Sequence, residues 1–160
     1  MILNVLTYPD PILRQVCEPI LAFDAELEAL IQSMFETMHH YQGIGLAASQ
    51  VGILKRLLVL EYESQKMALI NPEIVSLKGK AIAEEGCLSL PGVGVRVERG
   101  THIVVKAFSR KGNAITVRVR GMVARIIQHE LDHLDGKLII DHGSPITQEN
   151  STPDTKEMHP

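Results

Sequence analysis

The sequence has no tryptophan, 4% aromatic residues and two cysteines, Cys17 and Cys87. So few cysteines exclude a disulfide framework, and at 160 residues the chain is long enough to bury a full core without one. No apolar run approaches the roughly 20 residues that a membrane helix needs. The opening residues Met1-Ile2-Leu3-Asn4 lack the basic start and small-residue cleavage site of a secretory signal. The expectation is a cytoplasmic protein with reduced thiols and no membrane contact. Strong charge of one sign is also missing. A formal net charge of -3 carries no electrostatic signature of nucleic acid or of an anionic surface, so no direct nucleic-acid binding is expected.

What the sequence does contain is Gln128-His129-Glu130-Leu131-Asp132-His133, near the end of its last hydrophobic run. Two imidazoles four residues apart fall on one face of a helix and can reach one metal ion, and Glu130 lies close enough to handle a proton. The helix itself is legible. Met122, Val123, Ile126, Ile127, Leu131 and Leu134 recur at spacings of three and four, and Gly136 follows as a stop signal. A third ligand is required, and the downstream sequence does not supply it. In the metzincin pattern a histidine would fall at Ile139, and Glu149 lies in a polar tail. Upstream, Glu84-Glu85-Gly86-Cys87-Leu88-Ser89-Leu90-Pro91-Gly92 places a cysteine in a strand-to-turn setting. A thiolate with two imidazoles is a donor set used by zinc and ferrous iron, with the fourth position left for water. Cys87, His129 and His133 are therefore the candidate metal ligands.

The remaining histidines and Cys17 read as bystanders. His39 and His40 end a predicted helix, His142 and His159 lie near or within the tail, and Cys17 is most simply a small buried hydrophobe. That predicted helix starts after Asp24 as N-cap, runs through Leu27, Leu30, Ile31, Met34, Phe35, Met38 and Tyr41, and stops at Gly43. Next, Gly43-Ile44-Gly45-Leu46-Ala47-Ala48-Ser49-Gln50 is either a tight connection or the wall of a cleft, with Gln50 able to donate hydrogen bonds to a developing oxyanion. Short β runs are predicted at 56–61, 67–71, 74–77, 93–97, 103–108 and 115–119, separated by turns that include Asn71-Pro72. Helix, then strands, then helix indicates a single α+β domain over residues 1–142, followed by a polar, flexible tail at 143–160.

Three segments, Gly43 to Gln50, Glu85 to Ser89 and Gln128 to His133, resemble in order and spacing the three motifs of peptide deformylase. The resemblance runs from the N-terminal arm through about residue 141. It implies an α+β fold with antiparallel strands packed around a central metal-binding helix, and removal of the formyl group from the N-terminal formyl-methionine of new polypeptides, with release of formate. By the same resemblance Cys87, His129 and His133 bind one divalent metal, Fe(II) in the cell with Zn, Ni or Co able to substitute. Glu130 becomes the general acid/base, Gln50 and the Leu88 backbone N–H stabilise the oxyanion, and Ile44 and Gly45 line the groove for an extended substrate. Partners would be formyl-methionyl nascent peptides and, transiently, the ribosome. The chain departs from the pattern at Gly94, where many relatives carry arginine and the arginine here comes at Arg96. It departs again in its tail, which lacks the basic helix with which some relatives dock on the ribosome. Arg125, one turn before His129, is expected to lay its aliphatic stem along the pocket wall and send its charge to solvent. A peptidase or another amidase with the same centre, and a non-catalytic structural or metal-sensing Cys-His-His site, are the competing readings.

Overall fold

The computed structural model describes residues 1–146. An N-terminal arm with one 3₁₀ turn at Pro11–Arg14 leads into helix α1, Ala25–His40. Asp24 caps it, its carboxylate accepting from the Leu27 N–H at 3.0 Å. Glu26 and Glu28 stand in the first turn and His39 and His40 in the last, so both ends complement the helix dipole. Strand β1 (Gly45–Ala47) and a 3₁₀ turn at Ala48–Val51 follow. The strands β2 (Leu57–Tyr62), β3 (Gln65–Lys78), β4 (Ala81–Cys87), β5 (Leu90–Arg99), β6 (His102–Phe108) and β7 (Ala114–Arg120) then lead to helix α2, Gly121–Leu134. The strands form an antiparallel five-stranded sheet in the order β1-β2-β3-β6-β7 and a separate β4-β5 hairpin. The expected α+β architecture with a central helix is what forms.

Burial explains the arrangement. Leu57, Leu58, Val59 and Leu60 of β2 are all fully buried. Leu58 and Leu60 pack into the cluster that includes Ile126 and Ile127 of α2, whereas Leu57 and Val59 pack with Ile31, Met34 and Met38 of α1. Covered on both faces, β2 reads as a continuous apolar run, and the alternating strands β6 and β7 lie where one face is wet. Helix α2 is enclosed along most of its length, from Val123 to Leu131 and again at His133 and Leu134. Fully burying a side chain such as Ile126 or Ile127 contributes about 1.5–3 kcal/mol, so the motif helix is held by its apolar stripe. It ends as the sequence indicates, with Gly136 at φ 76.

Two strand assignments need correction. The runs at 67–71 and 74–77 are one strand, β3, with a register shift between Ile70 and Glu73. The chain passes Asn71 at φ 51 and continues as a bulge in place of the expected turn. The Asn71 side chain makes this possible by exchanging two hydrogen bonds with the Ile20 backbone, at 2.8 and 2.9 Å, which ties the N-terminal arm to the sheet. Strand β4 has no counterpart among the predicted runs, because Glu84 and Glu85 interrupt its apolar pattern. The expected tail begins at Gly143 within the described part, where the Ile146 N–H donates to the Gly94 carbonyl at 2.7 Å. Residues 147–160, including Glu149 and His159, lie outside the described residues.

Candidate metal centre

Three parts of the chain meet between β4, α2 and the turn after β1. Cys87 ends β4, and one ring nitrogen each of His129 and His133 lies with its Sγ in a group whose atoms are all within 4.8 Å of one another. His133 Nε2 is 3.2 Å from Cys87 Sγ. Glu130, fully buried on the same helix, faces β1. A Cβ on Gly45 would stand 2.6 Å from Glu130 Oε2 and 2.7 Å from Ile126 Cγ2, so only glycine lets β1 run this close to α2. Gln50 completes the wall. Its Oε1 accepts from the Ala47 N–H at 2.9 Å, which turns its Nε2 to within 3.7 Å of Cys87 Sγ and 3.1 Å of Ser89 Oγ. Leu88 follows Cys87 in the hairpin turn, half-buried against the α1 core. Ile44 precedes Gly45, and its carbonyl accepts from the Glu61 N–H at 3.0 Å. His39 and His142 lie outside the group, paired with Glu61 and Asp132 respectively.

The protonation state of the centre is set by burial and by one carboxylate, Glu85, to which the sequence alone gives no role. Glu85 Oε1 accepts from His129 Nδ1 at 2.9 Å. That bond fixes the tautomer and leaves the Nε2 lone pair bare. Burial opposes charge on Glu85, but hydrogen bonds from His129 and Arg99 outweigh it and hold the carboxyl well below the usual carboxylate range. Burial, and then the Glu85 charge, push Glu130 well above its ordinary value. Burial and the nearby Glu130 charge push the Cys87 thiol up. Burial pushes His133 down.

Among the described residues, His129 Nε2, His133 Nδ1 and both Glu130 oxygens are buried without a hydrogen-bond partner. Buried polar atoms left this way are costly, and the two rings each bring one nitrogen to a thiol that resists ionising alone. A divalent cation answers the needs of His129, Cys87 and Glu130 together. It takes the bare imidazole lone pair, stabilises Cys87 as thiolate and offsets the Glu130 charge. The residues present therefore fit a metal ion.

Glu85 is held by two arginines. Arg99 grips it with Nε and Nη2 at 3.0 and 2.9 Å and reaches Asp132 with Nη1 at 2.7 Å. Arg125 Nη1 donates to Glu85 at 2.6 Å and to the Val97 carbonyl at 3.0 Å, and its Nη2 donates to the Ala81 carbonyl at 2.8 Å. The expectation that Arg125 sends its charge to solvent is overturned, because its guanidinium is spent inside on a carboxylate only 1% exposed. Two local anomalies signal the pairing. One is an arginine inside the apolar run Ala124 to Ile127, and the other is an acid two residues before Cys87. Removing one partner of a buried ion pair costs about 3–5 kcal/mol. Arg125→Leu is accordingly expected to lower stability by about that amount, read as a shift of the urea midpoint at unchanged slope. A shift under about 1 kcal/mol would show the pair to be dispensable.

The fold and the Cys-His-His group define a single α+β domain with a site that could hold one metal ion. The polypeptide deformylase family model matches residues 2–149, and the chain belongs to that family. The peptide deformylase of Thermodesulfovibrio yellowstonii is 46% identical over 153 residues, covering 92% of this chain and 93% of its own. Among solved structures, the Thermotoga maritima peptide deformylase superposes with a TM-score of 0.88 at 43% identity, covering 91% of this chain and 99% of its own. The class I type b enzyme of Acinetobacter baumannii, solved with Met-Ala-Ser bound, gives 0.87 at 32% identity, covering 89% and 99%.

Proposed function

We infer that this chain removes the formyl group from the N-terminal formyl-methionine of newly made polypeptides, releasing formate and a free amine. The observation that carries this reading is the buried Cys87, His129 and His133 group, with the Gln50 amide 3.7 Å from Cys87 Sγ and Glu130 buried on the same helix, in a member of the deformylase family. The Acinetobacter relative binds Met-Ala-Ser, a peptide of the kind such a reaction leaves behind. Cys87, His129 and His133 would hold the ion, Fe(II) in the cell with Zn, Ni or Co able to replace it. Bound there, the ion supplies Lewis-acid chemistry, polarising a carbonyl and acidifying water enough for hydroxide to form near neutral pH.

The rest of the work falls to the chain. Glu130 takes the proton from the attacking water at its carboxylate and returns it to the departing amine, which is otherwise a poor leaving group. Its burial suits that task, because burial raises the carboxylate's affinity for the proton it must take. The Gln50 Nε2 and the Leu88 N–H point hydrogens at the oxygen on which negative charge develops. Loss of one such donor costs about 2.7–4 kcal/mol. Gln50→Ala is expected to lose that much in kcat with its metal content unchanged, and a variant with normal kcat would remove Gln50 from the mechanism. Strand β1 is an edge of its sheet, paired only with β2. Its free side, at Ile44 and Gly45, can take an extended peptide as an added strand. Residues 1–142 form the catalytic unit on this reading. It works in the cytoplasm, where such peptides leave the ribosome and where a transient ribosome contact would place it.

The test is formate release from formyl-Met-Ala-Ser by protein purified without oxygen, beside acetyl-Met-Ala-Ser. Release from the formyl peptide alone is expected. Cleavage of an internal peptide bond, or no reaction from protein carrying one metal per chain, would contradict the assignment.

A further inference from the structure

We propose that Ser89 is a positioning residue for the reaction inferred above, on which this assignment rests: its hydroxyl holds the Gln50 amide in the orientation that keeps one hydrogen free for the developing oxyanion. A carboxamide offers one acceptor oxygen and a nitrogen with two donor hydrogens. The Gln50 oxygen accepts from the Ala47 N–H at 2.9 Å. An amide nitrogen could not answer that donor, so this bond decides which way round the side chain stands. The nitrogen is thereby turned to the β4-β5 hairpin. One of its hydrogens goes to Ser89 Oγ at 3.1 Å, and the other lies toward Cys87 Sγ at the long distance of 3.7 Å. The first is engaged, and the second is held weakly enough to turn to an oxygen beside Cys87. Ala47, Gln50 and Ser89 are all fully buried, so bulk water is not at hand to take the place of the serine. Without its hydroxyl the amide could swing about its bond to Ala47, since the terminal torsion of glutamine has only a broad preference of its own.

Serine is common in turns because its hydroxyl bonds the nearby backbone. Ser89 does stand in the turn between the paired residues Cys87 and Leu90, but its Oγ is engaged by a side chain 39 residues away. What the turn requires of Ser89 is backbone. The Ser89 carbonyl accepts from the Tyr8 N–H at 2.8 Å, as the Gln50 carbonyl accepts from the Leu6 N–H at 2.7 Å. A residue of any type supplies those carbonyls. The N-terminal arm thus fixes the two backbones on one frame, and the hydroxyl adds the link between the two side chains. Both oxyanion donors belong to that frame, because the Leu88 N–H is on the residue next to Ser89. Burying a hydroxyl is costly unless it is hydrogen-bonded, and Gln50 is the partner that answers it here. Aim is what the link contributes. A misplacement of about 1 Å can cost roughly 10²-fold in rate, and Gln50 without Ser89 would keep its hydrogens but lose their direction.

The test is a double-mutant cycle with the full, metal-loaded protein. Parent, Ser89→Ala, Gln50→Ala and the double variant are each assayed for formate release from formyl-Met-Ala-Ser, for metal per chain and for fold by circular dichroism. Ser89→Ala removes a single oxygen and is expected to fold and to keep its metal. Its kcat is expected to fall by about 10- to 100-fold at unchanged KM, the mark of an interaction made in the transition state. In the Gln50→Ala background the same substitution is expected to change kcat by less than about twofold, because the group through which Ser89 acts is gone. A serine with a merely structural role would lower kcat by the same factor in both backgrounds. That equality, an unfolded or metal-depleted Ser89→Ala protein, or parental kcat in Ser89→Ala would each overturn the proposal. The two readings fail separately. No formate from the parent, or parental kcat in Gln50→Ala, would overturn the reaction or the part of Gln50 in it and this assignment with them, whereas an impaired Gln50→Ala beside a fully active Ser89→Ala would remove Ser89 alone.

Discussion

Glu130→Gln is expected to lower formate release by roughly 10²- to 10⁴-fold, the usual contribution of general acid-base catalysis, while metal content and fold stay as they are. The substitution keeps the side chain's shape and removes only its ability to carry a proton. The site should accept it. Glu130 is fully buried, and burial already favours its uncharged form. Nor does the substitution break a hydrogen bond, since both Glu130 oxygens lack a partner among the described residues. Steady-state kinetics on a formyl-methionyl peptide, beside metal analysis of the same sample, reads the result. A variant within a few-fold of the parent would leave proton transfer to another group, and Glu130 would then be a packing residue against Gly45.

The second large effect is that of Cys87→Ala, which is expected to cost the protein both its metal and its activity. Of the three candidate ligands, the Cys87 thiolate is the one supplied from outside α2. Without it the ion would be left with two imidazoles on a single helix face, and the tie between β4 and α2 through the ion would be gone. Structural losses should be modest by comparison. Cys87 is a small buried side chain at the end of a hairpin, and its Sγ meets His133 and Gln50. The expected outcome is a folded protein, judged by circular dichroism, with metal well below one per chain. A fully loaded Cys87→Ala protein would rule the cysteine out as a ligand.

Much of this site is legible in the sequence, because its strongest signals are local. His129, Glu130 and His133 are placed by helical periodicity alone, and Asp24 and Gly136 act at helix ends through their own side chain or backbone freedom. Cys87 needs one further step, elimination of the downstream candidates. What stays hidden in the sequence is non-local. Asn71-Pro72 has the composition of a turn but forms a bulge, because Ile20, distant in sequence, satisfies the Asn71 side chain. Strand β4 is masked by Glu85, a charge tolerated in the interior only because Arg99 and Arg125 arrive from β5 and α2. The same reason makes Arg125 unreadable in isolation, since its partner is supplied by another element. Alternation within one strand tells which residues share a face, but only the pairing register tells which of them stand opposite one another.

The measurement that bears most directly on the metal centre is a titration of metal against activity. Protein purified without oxygen is stripped with a chelator, then returned to activity with Fe(II), while bound metal per chain and formate release are followed together. Activity that disappears on stripping and rises in proportion to bound metal, levelling at one ion per chain, is the result this centre predicts. Full activity in stripped protein, or saturation only at two ions per chain, would contradict it.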